Sequence, residues 1–315
     1  MQLNRTDEVV AKGKTKIGRR ATSPEVPDDL VVFEATADIT AGNDPALTKQ
    51  MEAKPVAATK TTSQVFRLLK AYGVPAAFIE QVSPTEFVAP LVTMIPLECV
   101  ARRYAVGGGS FVSRYPSFKP VDPKRPHRFG QLRLETFLKT KNGVLETIHG
   151  EKIDLGFARL PAVPGSEGLP LLVDKKCDDP LVVNLQDRVW TIRKPHKAHD
   201  DPDGFIARTI DASQVLPNGI HIGPINELVH RTFDILERAW AALGFRLMDF
   251  KLEFGVLPDG SLVLADVVDN DSWRLWDAEG NELSKEKFRQ GDAMDEVQEA
   301  YQRVAALVEQ FQIPG

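Results

Sequence analysis

Cysteine is nearly missing from this 315-residue chain, which has only Cys99 and Cys177. A lone disulfide would be a strange feature at this length, so two thiols are expected rather than a disulfide framework. Long apolar runs are missing too. No stretch approaches the roughly 18 residues that a membrane helix needs. The opening residues MQLNRTDEVV are polar and charged, without the apolar core of a signal peptide. Positive charge is not in excess. The net charge of −5 removes bulk attraction to nucleic acid or an anionic membrane and leaves anionic ligands to local basic clusters. The six histidines (127, 149, 196, 199, 221 and 230) show no metal-ligand spacing. No internal repeat, low-complexity tract, Ser-His-Asp or Cys-His arrangement stands out. The expectation is a cytosolic globular protein.

What is present is ordinary in bulk and informative in detail. A hydrophobic content of 43% can build a core, in one large domain or two lobes. Residues 30–33 form a β-type run. Residues 54–72 place Thr61, Val65, Leu68, Leu69 and Tyr72 on one helical stripe, closed by Gly73 and Pro75. Short strands are expected at 78–79 and 87–88, turned at Ser83-Pro84. The apolar run 91–101, broken by Pro96, is the expected crossing between lobes. Residues 140–221 hold many Pro and Gly residues and no sustained period, so only short strands and surface excursions are expected there. Residues 225–243 are a strongly amphipathic helix with Gly244 as its C-cap. Strands at 246–256 and 262–268 follow, joined by Pro258-Asp259-Gly260, and a last helix spans 292–311.

The segment LMDFKLEFG, 247–255, alternates strictly. Met248, Phe250, Leu252 and Phe254 share one face, and Asp249, Lys251 and Glu253 share the other. In the next strand Asp266 is the one charge amid apolar residues, and the hairpin puts it roughly opposite Glu253. Two facing carboxylates repel unless something positive sits between them. A hard cation such as Mg²⁺ on triphosphate oxygens would serve, and Lys251 could hold a phosphate or carboxylate. The alternative is a solvated polar face with an incidental aspartate. Both stand at this point.

Two basic segments add to this. Lys12-Gly13-Lys14-Thr15-Lys16 can bring ammonium and backbone N–H groups onto phosphates, although it lacks the Walker spacing. A solvated lysine cluster would look the same. Arg102-Arg103, followed by Gly107-Gly108-Gly109-Ser110, suits a phosphate monoester or a surface loop with paired arginines. Asp269-Asn270-Asp271-Ser272-Trp273-Arg274 lies just past the Asp266 strand, with Arg274 as its candidate ligand and the tryptophans as core.

GKTK at 13–16, DITAGN at 38–43, MIPLECVARR at 94–103, Gly-Ser at 109–110, DFKLEFG at 249–255 and LADVVDNDSWRLW at 264–276 occur in one order. Together they resemble the SAICAR synthetase family, over about residues 8–139 and 222–290. The resemblance implies an α/β (α+β) fold of two lobes with ATP in the cleft. The N-terminal lobe, 1–93, would be a mostly antiparallel nucleotide-binding sheet. The larger α/β lobe, 94–315, would bind substrate and metal and include the atypical excursion at 140–221. The implied reaction condenses a carboxylated aminoimidazole ribonucleotide (CAIR) with L-aspartate in purine biosynthesis. ATP and Mg²⁺ would first convert the imidazole carboxylate to an acyl phosphate, which the aspartate amine then attacks. Small molecules are the implied partners, without nucleic acid or membrane, and a homo-oligomer stays open.

Carried over residue by residue, Lys14 and Lys16 would contact the ATP phosphates and Met94 would sit beside the adenine. Glu98 and Arg102 would lie at the nucleotide substrate, with Ser110 and Arg274 helping Arg102 on its 5′-phosphate. Lys251 would neutralise phosphate or the reacting carboxylate, Glu253 and Asp266 would bind Mg²⁺, and Asp249 and Asp271 would orient the ribose or imidazole. Two departures matter. Ser110 follows three glycines where the family usually has one. The family's Lys-Asp-Asp…Asp-Pro segment is broken after Lys139 and resumes at Asp178-Asp179-Pro180 or at Asp200-Asp201-Pro202; Asp179 is the favoured substrate-binding residue. The competing readings are a small-molecule kinase, a ligase for another amine, and a non-catalytic nucleotide-binding paralogue.

Overall fold

The computed structural model describes residues 1–13, 15–40, 48–141, 143–156 and 178–314. Lys14 and Cys177 lie outside the described residues. The chain divides into two compact units, Met1–Thr93 with Arg231–Gly315, and Met94–His230.

In the first unit, five antiparallel strands form one sheet in the order Asn4–Lys12, Lys16–Ser23, Val26–Ala35, Glu86–Pro90 and Glu80–Ser83. Gly18 is forced by contact, because a Cβ there would lie 2.7 Å from the Phe33 ring and 2.8 Å from Val31. The helix Lys54–Ala71 opens on Pro55, whose fixed φ suits a first turn, and is followed by Gly73 at φ +72°. Its Phe66 starts a run of rings through Phe78 and Phe87 to Phe33, with centroids 5.5, 6.0 and 5.3 Å apart. The buried rings among them, Phe66, Phe78 and Phe87, each contribute about 1.5–3 kcal/mol. The named strand begins at Glu80 rather than at Phe78, although the Ile79 N–H already donates to the Val88 carbonyl. Phe78 was apolar because its ring packs in the core.

The strand Arg246–Val256 pairs antiparallel with Leu262–Ala265 and with Trp273–Trp276. The helix Ile222–Ala242 precedes it, and Phe233 of that helix packs on Phe250 at 5.0 Å. Gly244 has φ +83°, as a C-cap requires. The last helix, Met294–Leu307, buries Val297, Tyr301, Val304 and Ala305. Val297, Tyr301 and Ala305 share a cluster with Ile39, Met51 and Ala57.

The second unit holds five antiparallel strands in the order Phe205–Asp211, Val189–Arg193, Leu181–Val182, His127–Leu138 and Leu97–Ala105. Three of these come from the stretch that showed no period in the sequence. A separate three-stranded meander, Thr140–Lys141, Val144–Glu146 and Lys152–Asp154, follows the long strand. Phe111, Tyr115, Phe118 and Phe129 cluster around the short helix Ser110–Arg114. The architecture is a mixed α/β fold dominated by antiparallel sheet.

Candidate functional site

Candidate residues occur in both units, and each set is built by its own local structure. In the first unit the Arg246–Val256 strand turns Asp249, Lys251 and Glu253 away from the face that carries Phe250. Lys251 Nζ stands 3.9 Å from Glu253 Oε1. Asp249 is the cross-strand partner of Arg274 and accepts its Nε at 2.9 Å, with a second bond from Nη2 to the other carboxylate oxygen. Burial works against the Arg274 charge and Asp249 outweighs it, so the guanidinium pKa is raised.

The residue facing Glu253 across the hairpin is Ala265, not Asp266. Continued pairing would have put Asp266 opposite Leu252, on the apolar face. The chain avoids this by adopting a left-handed backbone at Asp266, φ +62°, which aspartate tolerates better than most residues. The ladder ends there. The Asp266 carboxylate accepts the Val267 N–H at 2.8 Å and pairs with Lys16 Nζ.

The following loop is tied down from several sides. Asp269 Oδ1 accepts the Asp271 N–H at 2.8 Å, and Ser272 Oγ donates to the Val267 carbonyl at 2.9 Å. Asp271 is the hub of a buried cluster. Its Oδ2 receives Lys54 Nζ at 3.1 Å and Lys285 Nζ at 3.2 Å, and its Oδ1 receives the Tyr301 hydroxyl at 2.5 Å. Lys54 also donates to the Asp38 carbonyl at 2.8 Å. Burial alone would raise the Asp271 pKa, but Lys54 and Lys285 hold it well below the usual carboxylate range. Burial pushes Asp269 up to about 6, with the Asp271 charge adding to the effect. Lys54, Lys285 and Tyr301 were not among the candidate site residues read from the sequence. One signal was available: a lysine in the first turn of a helix opposes the helix dipole, so it needs a particular partner.

In the second unit, Glu98, Arg102 and Lys139 lie on or just beyond the paired strands Leu97–Ala105 and His127–Leu138. Ser110 begins the helix Ser110–Arg114, behind Gly108 at φ +78°. Arg102 Nε donates to Glu135 Oε2 at 2.8 Å, and Arg114 Nη2 donates to Glu135 Oε1 at 2.5 Å. Burial would raise the Glu135 pKa, and the two guanidiniums overcome it and keep the group ionised. Burial lowers the Arg114 pKa against the pull of Glu135. Met94, at the start of this unit, is 40% exposed.

The sequence left two places for the displaced Asp-Pro segment. Asp201 is half-buried, caps the turn Pro202–Gly204 and pairs with Lys197 at 3.1 Å. Asp178 and Asp179 instead return to Thr140, the residue after Lys139. Asp179 Oδ1 accepts the Thr140 N–H at 2.8 Å, and the Asp179 backbone is left-handed at φ +52°. Burial, then nearby Glu98 and Asp178, push Asp179 up to about 6, with Lys139 opposing. Between about pH 4 and 6 the folded chain therefore holds a proton that the unfolded chain has lost, so stability falls as pH rises through this window. Asp179→Asn suits the left-handed backbone and keeps the oxygen that accepts Thr140. It is expected to raise Tm by about 2–4 °C at pH 7.5 and to change it little at pH 4. Equal shifts at both pH values would contradict this origin.

The fold is that of SAICAR synthetases. A phosphoribosylaminoimidazole-succinocarboxamide synthase from Ehrlichia chaffeensis matches with a TM-score of 0.66 at 22% identity, over 97% of this chain and 100% of that one. A SAICAR synthetase in complex with ADP matches at 0.62 and 23% identity, over 98% of this chain and 100% of that one. The SAICAR synthetase family model matches residues 9–160 and 185–308. The chain belongs to the SAICAR synthetase family. Phosphoribosylaminoimidazole-succinocarboxamide synthase of Chloroflexus aggregans is 30% identical over 96% of this chain and 94% of its own length. Other relatives are longer. The chain spans 51% of a bifunctional phosphoribosylaminoimidazole carboxylase/phosphoribosylaminoimidazole succinocarboxamide synthetase of Drosophila melanogaster, at 31% identity over 89% of this chain. It spans 51% of a longer relative from Caenorhabditis elegans and 22% of one from Dictyostelium discoideum.

Proposed function

We propose that this protein condenses CAIR with L-aspartate, using ATP, to give SAICAR, ADP and phosphate in purine biosynthesis. The observation that carries this reading is the set of charges on and around the Arg246–Val256 strand. Lys251 and Glu253 lie side by side, Asp266 pairs with Lys16, and Asp249 holds Arg274. Such a set suits phosphoryl transfer, which needs positioning and charge neutralisation rather than a protein nucleophile. The family match and the full-length relative in Chloroflexus support the same reading.

In the reaction, a CAIR carboxylate oxygen attacks the γ-phosphorus, and ADP leaves. The aspartate amine then attacks the acyl carbon, phosphate leaves, and the amine loses a proton as the amide forms. Lys16, with Lys14 of the same segment, contacts the ATP phosphates, and Met94 lies beside the adenine. Lys251 offsets charge on the transferred group or the carboxylate. Arg102 and Ser110 bind the ribose 5′-phosphate, and Arg274, oriented by Asp249, binds substrate. Glu98, Lys139 and Asp179 line the substrate side, and Asp271 orients it through its loop. On this assignment residues 1–93 carry the nucleotide and residues 94–315 carry substrate and metal, a functional division that does not follow the two compact units.

Mg²⁺ fits the donors present. Glu253 and Asp266 offer hard carboxylate oxygens, and among the described residues no group of three or more His, Cys, Asp or Glu could hold a metal by itself. Two protein ligands with the rest from phosphate and water is the usual environment of Mg²⁺. When bound, the ion would offset charge on the triphosphate. No helix among the described residues is long and apolar enough to cross a membrane. The reading places the reaction in the cytoplasm.

Residues 161–184 fall outside the family match, which favours one alternative, a ligase for a different amine. A coupled assay separates the two. Aspartate-dependent ADP release with CAIR is the expected result. ADP release with no aspartate incorporated would transfer the assignment to another amine or to a kinase. ATP binding without turnover would make the chain a nucleotide-binding paralogue.

A further inference from the structure

Arg102 lies in a chain of contacts that begins well away in sequence. Its Nε donates to Glu135, and its guanidinium lies 5.8 Å from the Phe111 ring. The other oxygen of Glu135 is taken by Arg114, which is fully buried. Arg114 in turn donates from Nη1 to the Pro195 carbonyl. Pro195 belongs to a loop held by its own set of bonds. Arg193 Nη2 donates to the Ala198 and Asp201 carbonyls at 2.7 and 2.9 Å, and the Lys194 N–H donates to the Gly204 carbonyl at 2.8 Å. The loop also returns to the backbone of Arg114, whose carbonyl accepts the His199 N–H at 2.9 Å. The His199 ring stacks on Tyr115 at 4.9 Å.

Physically, this is one buried anion between two buried cations, with the outer cation fixed by a backbone carbonyl. A carboxylate that receives two guanidiniums fixes the plane of each. A looser ion pair would leave Arg102 several rotamers, and ordering them on binding would weaken affinity. No such freedom remains to a guanidinium gripped at Nε. The loop 194–204, which has no evident part in the chemistry, acquires a task through Arg114.

We propose that Glu135, backed by Arg114 and the loop 194–204, is a positioning residue that presents the Arg102 guanidinium to the 5′-phosphate of the nucleotide substrate. This rests on the phosphate-binding role given to Arg102 under the proposed function. Glu135 acts through Arg102 and does not touch substrate.

The test is Glu135→Gln and Glu135→Asp, each in unmodified and Arg102→Ala backgrounds. The readouts are KM for CAIR, KM for ATP, and inhibition by ribose 5-phosphate. Glu135→Gln is expected to raise KM for CAIR and Ki for ribose 5-phosphate by tenfold or more, with KM for ATP within twofold. Glu135→Asp keeps the charge with one methylene less, so a smaller rise of about threefold is expected; it carries the test if Glu135→Gln fails to fold. In the Arg102→Ala background neither change should raise Ki further. A general structural defect would not show that dependence. Unchanged Ki in a folded Glu135 variant overturns the positioning role, as does an equal rise with and without Arg102. Lack of ribose 5-phosphate inhibition of the unmodified enzyme overturns the assignment of Arg102 to phosphate. Loss of aspartate-dependent turnover by the unmodified protein would instead overturn the proposed reaction.

Discussion

Lys54→Met should lower the folding free energy by about 3–5 kcal/mol, the cost of breaking a buried ion pair from one side. Methionine fills similar volume without the charge, so the packing loss is small. Asp271 keeps Lys285 and Tyr301, which places the expected value at the lower end of that range. The partly buried Asp38 carbonyl loses this donor as well, which adds to the loss. Urea denaturation should show a lower midpoint at unchanged slope. Asp271→Asn should be at least as damaging, since it leaves Lys54 and Lys285 facing each other without the carboxylate they share. In the double variant the two losses should fall well short of additive. Additive losses, or a midpoint unchanged in Lys54→Met, would show that the cluster contributes nothing to stability.

Asp266→Asn and Glu253→Gln should each cut kcat by at least 100-fold, about 2.7 kcal/mol of transition-state stabilisation. Neither substitution should disturb the fold. Asparagine tolerates the left-handed backbone at 266 and keeps an oxygen for the Val267 N–H. Glutamine at 253 matches the shape of glutamate on a strand. What both remove is charge at the place where, on the proposed assignment, phosphate and cation charge would be balanced. Circular dichroism and melting should stay close to those of the unmodified protein, while turnover under saturating ATP, CAIR and aspartate falls. Turnover within threefold of normal in both folded variants would remove Glu253 and Asp266 from the metal assignment.

The parts of the molecule that were legible in the sequence are those where one residue's environment repeats along the chain. The alternation through 247–255 reported the Arg246–Val256 strand because every second side chain meets the same core. The stripe at 225–243 reported the Ile222–Ala242 helix for the same reason. Partners remote in sequence were not legible. Lys54 reads as a solvated charge until Asp271, 217 residues away, is brought beside it. Glu135 and Arg114 are likewise ordinary strand and helix residues until Arg102 stands between them and the loop. The Asp266 register was misjudged because ladder arithmetic assumes an unbroken strand, and aspartate gives no warning of a left-handed backbone. Short strands were expected within 140–221, but those at 181–211 could not be placed, because they are brief and bury charged residues such as Arg193.

The ion pair between Lys16 and Asp266 bears on how ligands would enter. Each group is the other's resident counter-ion. An incoming phosphate at Lys16 must displace a tethered carboxylate, and an incoming cation at Asp266 must displace an ammonium. Either ligand alone meets that competitor in full. A phosphate and a cation that arrive together meet it once, because each frees the partner that the other needs. On the proposed assignment, binding of the two would be thermodynamically linked, with each raising the affinity for the other by the same factor.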